Sequence, residues 1–166
     1  MKKLLTLTSL AFLAASGSAS AVTLTGNTAS VDIIAPLAVS DNGGANNSLN
    51  FATVLRSDSV ATTVTIDTTG SITAGSASVF GTPTAAVFNV TGEASTAYTI
   101  SAIPGINLTG TGANIPLTFD VSAASGVTPS LSGAGTDTIN IGGTIVAASG
   151  QTSGSYSGTY DVIVNY

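Results

Sequence analysis

The stretch IPLTFDV, residues 115–121, alternates an apolar residue with a proline, threonine or aspartate at every step. Side chains of a β-strand point alternately to opposite faces, so a period of two predicts a strand with one buried face. The same alternation recurs at 60–66 and 85–90, where threonine often occupies the polar positions and suits an exposed strand face. No window keeps the i, i+3, i+4, i+7 pattern of an amphipathic helix. The sequence therefore predicts an all-β fold.

Short strands separated by glycine-containing turns extend outward from this stretch in both directions. The expected strands are 29–39, 49–55, 60–66, 71–73, 85–90, 97–102, 106–108, 115–121, 138–141, 144–147 and 156–166. We expect one of the turns at Gly142 and Gly143, between two of these strands. Strands at such intervals are typical of a sandwich or barrel. We predict one β-sandwich domain at residues 35–166.

The composition excludes most catalytic and nucleic-acid-binding functions. The 166 residues contain no His, Cys or Trp, and Lys and Arg number 3 against 8 Asp and Glu. The net charge of −5 would repel a nucleic acid. Without His or Cys the chain has no imidazole base, no thiolate nucleophile and no soft metal ligand. We expect no enzyme, no cofactor and no nucleic-acid partner.

The acidic residues are scattered along the sequence instead of clustered. Glycoside hydrolysis needs a pair of carboxylates, and a calcium loop needs the closely spaced D-x-D-x-D-G pattern. The eight Asp and Glu stand singly, next to turns or on the polar phase of strands. We interpret them as solvated or turn-capping residues, so we expect no catalytic residue and no metal site.

The first 21 residues have the organisation of a secretory signal peptide. Lys2 and Lys3 precede an apolar run at 4–15, and Ala19 and Ala21 supply small residues at the −3 and −1 positions. The run is shorter than the roughly 20 residues of a membrane-spanning helix. We predict cleavage after Ala21, secretion, and no integral membrane segment in the mature chain. Without cysteine, that chain must be held together by packing and backbone pairing.

Three pairs of phrases resemble a bacterial secreted family, domain of unknown function 4402. They are APLAVS at 35–40 with LNFA at 49–52, FNVTGE at 88–93 with YTI at 98–100, and IGGT at 141–144 with GTYDVIVNY at 158–166. The family is similar to spore coat protein U and to archaic chaperone–usher pilins. Many chaperone–usher pilins carry a disulfide near the first strand, whereas this chain has none. The resemblance implies an immunoglobulin-like, pilin-like β-sandwich that lacks one strand and is completed by donor-strand exchange.

The resemblance also implies that residues 22–34 are an N-terminal donor strand. Its apolar residues fall on two faces, with Val22 and Leu24 on one and Ala29, Val31 and Ile33 on the other. Such a strand would insert into the groove of a neighbouring copy, and head-to-tail insertion builds a fibre. In the alternative interpretation, 29–39 is simply the first strand of a self-complete sandwich.

The strand at 156–166 has a second role in assemblies of this type. A periplasmic chaperone would pair with it until an outer-membrane usher exchanges the chaperone for the donor strand. The residues that would then face the groove are Tyr160, Val162, Val164 and Tyr166. In the alternative interpretation they are ordinary core residues of a closing strand.

From these implications we predict a structural subunit of a surface fimbria or pilus that serves cell adhesion or biofilm formation. Its partners would be copies of itself as a head-to-tail polymer, the chaperone and the usher. It would pass through the periplasm to the cell surface or extracellular fimbria. One alternative is a secreted monomeric β-sandwich adhesin or carbohydrate-binding module. A small outer-membrane β-barrel is disfavoured, because most expected strands are shorter than the roughly 9–11 residues that a barrel needs.

Overall fold

The structure is a computed structural model that describes residues 26, 28–42, 48–123 and 128–166. Contacts divide the chain into two units after Asp32, and every strand of the described residues lies in the second unit, Ile33–Tyr166. The predicted signal peptide at 1–21 lies outside the described residues. So do Val22 and Leu24 of the predicted donor strand.

The described residues form strands and no helix. The strands are Ala38–Asp41 (β1), Thr53–Leu55 (β2), Thr62–Ile66 (β3), Ile72–Ala74 (β4), Ser78–Phe80 (β5), Ala86–Thr91 (β6), Thr99–Ile100 (β7), Ile106–Gly110 (β8), Ile115–Val121 (β9), Thr136–Ala147 (β10), Tyr156–Ser157 (β11) and Val164–Asn165 (β12). The all-β prediction is confirmed, and the arrangement is consistent with a β-sandwich. No helix capable of crossing a membrane is found among these residues.

Strand β10 is the centre of the main antiparallel sheet, whose strand order is β1-β6-β10-β9-β8-β11. Along one edge, the first half of β10 pairs with β6 and the second half with β3, which in turn pairs with β4. Its other edge pairs with β9. Two smaller antiparallel pairs, β7 with β12 and β2 with β5, accompany this sheet. One long strand thus aligns most of the others.

The prediction of a turn at Gly142 and Gly143 is wrong, since β10 runs through both residues. A Cβ atom on Gly142 would collide with the carbonyl oxygen of Ile66, and one on Gly143 would lie 2.7 Å from that of Thr118. The two glycines therefore let neighbouring backbones approach closely where β10 changes partner. Sequence alone does not separate this role from a turn, because glycine suits both.

The buried face of the main sheet carries two hydrophobic clusters. The first contains Phe51, Val64, Ile66, Ala85, Ile115, Leu117, Ile145 and Ala147. The second contains Ala86, Val90, Tyr98, Leu131, Ile139 and Ile141. In β9 the alternation acts as predicted, with Ile115 and Leu117 buried and Pro116 and Thr118 exposed. Leu37 and residues from 160–164 pack against the second cluster.

Arg56 ties the loop after β10 to the end of β2. Its Nη1 atom donates to the Gln151 carbonyl oxygen at 3.0 Å and lies 3.2 Å from Oδ1 of Asp58. Gln151 is buried and donates from Nε2 to the Tyr156 hydroxyl at 2.9 Å and to the Ala113 carbonyl. The Arg56 guanidinium therefore holds the loop at Gln151, whose side chain is itself fixed by hydrogen bonds to Tyr156 and Ala113.

The strand predicted at 29–39 is wrong over 29–37, because pairing begins only at Ala38. Proline at position 36 has no N–H group for a ladder. Of the range 29–39, only Ala38 and Val39 lie in a strand, and whether the sandwich is self-complete stays a prediction. Strand β5 was not expected; the sequence SVF offers too short an alternation to stand out.

Candidate functional site

A groove of about 220 Å³ lies between β1 and residues 160–162. We call it the edge groove. Its lining residues are Val39, Ser40, Asp41, Phe88, Tyr160, Asp161 and Val162. Four of them are apolar or aromatic, and the two aspartates come from opposite walls. The edge groove thus combines apolar and aromatic side chains with exposed polar ones.

Strand β1 forms one wall and is exposed along its whole length. It pairs with β6 in the register Val39↔Val90 and Asp41↔Phe88. Within the described part of the chain, no strand pairs with the other edge of β1. A strand with an unpaired edge presents free N–H and C=O groups to an incoming strand.

The opposite wall belongs to a segment that the sequence predicts as one strand, 156–166. That prediction is wrong: only β11 and β12 are strands, and residues 158–163 are irregular. β12 pairs with β7, and the Ser101 N–H donates to the Ile163 carbonyl at 2.9 Å. This side of the segment is therefore partly paired where it adjoins β7. A strand is stabilised by hydrogen bonds to a neighbouring strand. The irregular conformation of 158–163 is consistent with the lack of a strand partner on the side of the edge groove.

Tyr160 lines the edge groove and is partly buried. Its ring packs against that of Phe119 with centroids 4.5 Å apart and planes tilted by 45°. Burial raises the pKa of its hydroxyl, and the Leu49 backbone opposes that shift. The buried hydroxyl oxygen makes no hydrogen bond of good geometry to the described residues. A buried polar atom in this state is costly unless a further partner reaches it.

The four residues predicted to face the groove occupy different places. Tyr160 and Val162 line it. Val164 is half-buried in β12 and packs against the second hydrophobic cluster. Tyr166 is 46% exposed, and its hydroxyl is hydrogen-bonded to the backbone of Glu93 and Ala35. Their role toward a chaperone or a donor strand stays a prediction.

Three hydrogen bonds form a closed ring around Ala35. The Ala35 N–H donates to Oε2 of Glu93 at 2.8 Å, and the Glu93 N–H donates to the Tyr166 hydroxyl at 2.6 Å. That hydroxyl donates to the Ala35 carbonyl at 2.9 Å. We call this arrangement the Ala35 ring. The sequence prediction included Tyr166 but not Glu93, although the phrase FNVTGE at 88–93 contains it.

The described residues of the predicted donor strand are exposed and not in a strand. Val31 is 79% and Ile33 90% exposed, and Ala29 is exposed as well. Ile34, which the prediction did not count among the donor residues, is 53% exposed. The segment therefore exposes apolar surface close to β1 in the sequence.

A second concave surface, of about 410 Å³, lies on β6 and β10. Its lining residues are Asn89, Val90, Thr91, Thr136, Asp137 and Thr138. It contains no aromatic residue on which a sugar ring could stack. No group of three or more His, Cys, Asp or Glu side chains in the described ranges could hold a metal ion. The arrangement of this surface suggests no specific chemistry.

Comparison with known proteins yields one match. A family model with the description "Domain of unknown function (DUF4402)" matches residues 42–166. No curated protein and no solved structure matches the sequence. The matched range includes Phe88 and the wall at 160–162 of the edge groove, whereas all of β1 precedes it.

Proposed function

The chain belongs to the DUF4402 family, and from this premise and the edge groove we propose that it is a fibre subunit joined to its neighbours by donor-strand exchange. Residues 22–34 of one copy would fill the edge groove of the next. Each copy would then both give and receive a strand, and this head-to-tail linkage extends without closing. The fibre would be a surface fimbria or pilus in adhesion or biofilm formation.

The observation that carries the proposal is that the same chain has both an open groove and an exposed apolar segment. The groove has an unpaired strand edge on one wall and an irregular, partly paired segment on the other. Ile33 and Ile34 are exposed at 90% and 53% and precede β1 in the sequence. A strand with aliphatic side chains is the ligand that would satisfy both an open edge and apolar pockets.

The expected energetics favour a durable joint. Burial of one aliphatic side chain contributes about 1.5–3 kcal/mol, and an added strand gains backbone hydrogen bonds along its length. Val31 and Ile33 are almost fully exposed in the single chain, so most of their apolar surface is available for burial. Several such residues in one groove would make dissociation slow.

The proposal includes the partners and the route that the sequence predicts. A periplasmic chaperone would cover the edge groove before assembly, and an outer-membrane usher would exchange it for a donor strand. The subunit would be secreted through its predicted signal peptide and end at the cell surface. It would have no catalytic role and no cofactor, in keeping with a sequence that has neither His nor Cys.

Deletion of 22–34 tests the proposal directly. The shortened subunit should be secreted but should form no polymer, because its donor segment is missing. Gel electrophoresis of samples heated to increasing temperatures measures this, since the full chain should give a heat-resistant ladder. Fibres of normal length from the deletion variant would contradict the proposal, and so would a full chain that remains a monomer.

Point substitutions separate the donor segment from general surface effects. Val31→Asp with Ile33→Asp should abolish the ladder, because an unpaired carboxylate in an apolar groove costs several kcal/mol. Val60→Asp is the matched control, since Val60 is an exposed aliphatic residue (51%) outside both the segment and the groove. Its ladder should equal that of the unchanged chain. Equal ladders from both variants would argue against insertion of 29–34.

A further inference from the structure

We propose that the Ala35 ring keeps residues 29–34 from folding back into the edge groove of their own copy. The inference rests on the proposed function, since it concerns which groove the donor segment fills. Glu93 and Tyr166 act here as positioning residues. They would direct the segment toward a second copy and so favour polymer over a self-filled monomer.

The ring engages both peptide groups of a single residue. The Ala35 N–H is held by the Glu93 carboxylate and the Ala35 carbonyl by the Tyr166 hydroxyl. The Glu93 N–H closes the ring by donating to the same hydroxyl at 2.6 Å. A donor bound to a carboxylate is among the stronger hydrogen bonds in proteins. Both backbone polar groups of Ala35 are therefore already engaged in hydrogen bonds.

Gly92 makes room for the ring. A Cβ atom at position 92 would collide with the Tyr166 hydroxyl oxygen and would lie 3.1 Å from Cδ1 of Leu37. The Gly92 N–H donates to the Gly135 carbonyl at 3.0 Å, which fixes this stretch to the start of β10. The position of Glu93 is thus set by the main sheet and does not depend on the exposed segment.

Folding back would require a hairpin next to β1. To lie along the open edge of β1, residues 29–34 must reverse direction across positions 35–37. The proline at 36 disfavours the helical conformation for Ala35 that a type I turn would need there. Leu37 packs against the second hydrophobic cluster. A reversal across 35–37 would therefore have to break the Ala35 ring and the packing of Leu37.

Insertion into a second copy needs no such reversal. The segment can leave one domain at Ala35 with the ring intact and enter the groove of another. The Ala35 ring thus affects whether residues 29–34 fill the groove of their own copy or that of a second copy. Loss of the ring should shift the choice toward the copy's own groove, where the effective concentration of the segment is high.

A disulfide reporter tests the inference in the full chain, which contains no cysteine of its own. Val31→Cys marks the donor segment, and Ser40→Cys marks the exposed wall of the edge groove. A disulfide requires the two Cα atoms to lie within about 7 Å, so it records which groove holds the segment. Non-reducing gels separate bonds between copies, which give a ladder, from bonds within one copy, which give an oxidised monomer.

With the ring intact, we expect the ladder. Glu93→Ala removes the acceptor for the Ala35 N–H, and Tyr166→Phe removes the hydroxyl at the other side of the ring. Loss of a hydrogen bond to a charged group should move the ratio of monomer to ladder about tenfold toward oxidised monomer. Glu93→Gln retains an oxygen acceptor and should restore the ladder.

The outcomes are distinguishable. A ladder unchanged in both Glu93→Ala and Tyr166→Phe would overturn the inference and leave the proposed function standing. The same would follow if Glu93→Gln behaved like Glu93→Ala, since the acceptor would then not matter. Absence of any ladder in the intact background would overturn the proposed function itself. Circular dichroism checks that each variant is folded, and if Tyr166→Phe is not, Glu93→Ala alone decides.

Discussion

The Tyr98 hydroxyl shows how a single buried side chain links two parts of the domain. Tyr98 is 1% exposed and donates to Oδ2 of Asp137 at 2.8 Å. The other carboxylate oxygen accepts from the Thr138 N–H at 2.8 Å. Burial, together with the Asp137 carboxylate, raises the pKa of the Tyr98 hydroxyl. The phenol is therefore held in its neutral, donating form.

Tyr98→Phe should lower the free energy of unfolding by about 1.5–3 kcal/mol, because it removes a hydrogen bond to a charged group. Urea denaturation at neutral pH measures the change. Asp137→Asn is the comparison variant: its one amide oxygen can still accept from Tyr98, although the Thr138 N–H then loses its acceptor, and its loss should be smaller. A loss under about 0.5 kcal/mol for Tyr98→Phe, typical of a neutral surface change, would contradict this account.

Asp67 gives the domain a predicted response to acid. Its Oδ1 atom accepts from the Thr69 hydroxyl at 2.6 Å and from the N–H groups of Thr69 and Ser71 at 2.8 and 2.9 Å. The Thr69 hydroxyl is the main cause of a lowered pKa for this carboxyl, and desolvation opposes it. Because the pKa is lower in the folded state, the ionised carboxylate stabilises the fold at pH values above the unfolded pKa of about 3.9. This stabilisation is lost as the pH falls through the folded-state pKa.

Asp67→Asn should therefore destabilise the domain at pH 7 and make less difference at lower pH. The amide oxygen can still accept the same hydrogen bonds, so the variant isolates the effect of the charge. Denaturation curves of both proteins across the acidic range, from about pH 5 downward, measure the gap between their unfolding free energies. A gap that widened as the pH fell would have the wrong sign for this explanation.

Among the strands, β10 depends most on residues without side chains. Gly142→Ala should cost about 1–3 kcal/mol, because the new methyl group meets the rigid carbonyl of Ile66 and strand positions must shift. Gly133→Ala is the matched control: a Cβ there meets no atom within 4 Å. Thermal unfolding should show a lower midpoint for the first variant and no decrease for the second. Equal midpoints would refute the close-approach role.

Alternation predicted strands well where one face is buried and partners lie on both sides. The prediction for 115–121 matches β9, and that for 85–90 differs from β6 by one residue at each end. It failed at 158–163, where alternation continues but no strand forms, and the glycine turn signal failed at 142–143, where glycine serves a close approach. Periodicity reports which face a residue prefers, and pairing depends on neighbours that are remote in sequence.

The candidate site was only partly predictable for the same reason. Tyr160 and Val162 follow from the alternation, and both line the edge groove. The Ala35 ring joins positions 35, 93 and 166, which are up to 131 residues apart in sequence. No local sequence pattern predicts such a contact. A glutamate after a glycine is typical of a turn, and only the folded structure shows that Glu93 contacts Ala35.

For the assembled domain, an occupied edge groove should raise thermal stability. A ligand that binds only the folded state adds about 2.7 kcal/mol at one hundred times its Kd. A synthetic peptide with the sequence of residues 22–34 should therefore raise the Tm of the deletion variant. Differential scanning calorimetry with a scrambled peptide as control measures the effect. An identical Tm with both peptides would count against strand insertion.

The contact between Arg56 and the loop after β10 also bears on resistance to proteases. Beyond position 21, Arg56 is the only Lys or Arg in the sequence, so trypsin-like proteases have a single bond to attack there. Its guanidinium is engaged by the Gln151 carbonyl and by Asp58. Cleavage needs an extended, detachable chain, and this bond lies at the end of a strand that the contact fastens down. A polymer of such subunits would therefore contain few bonds that proteases of this specificity could cleave.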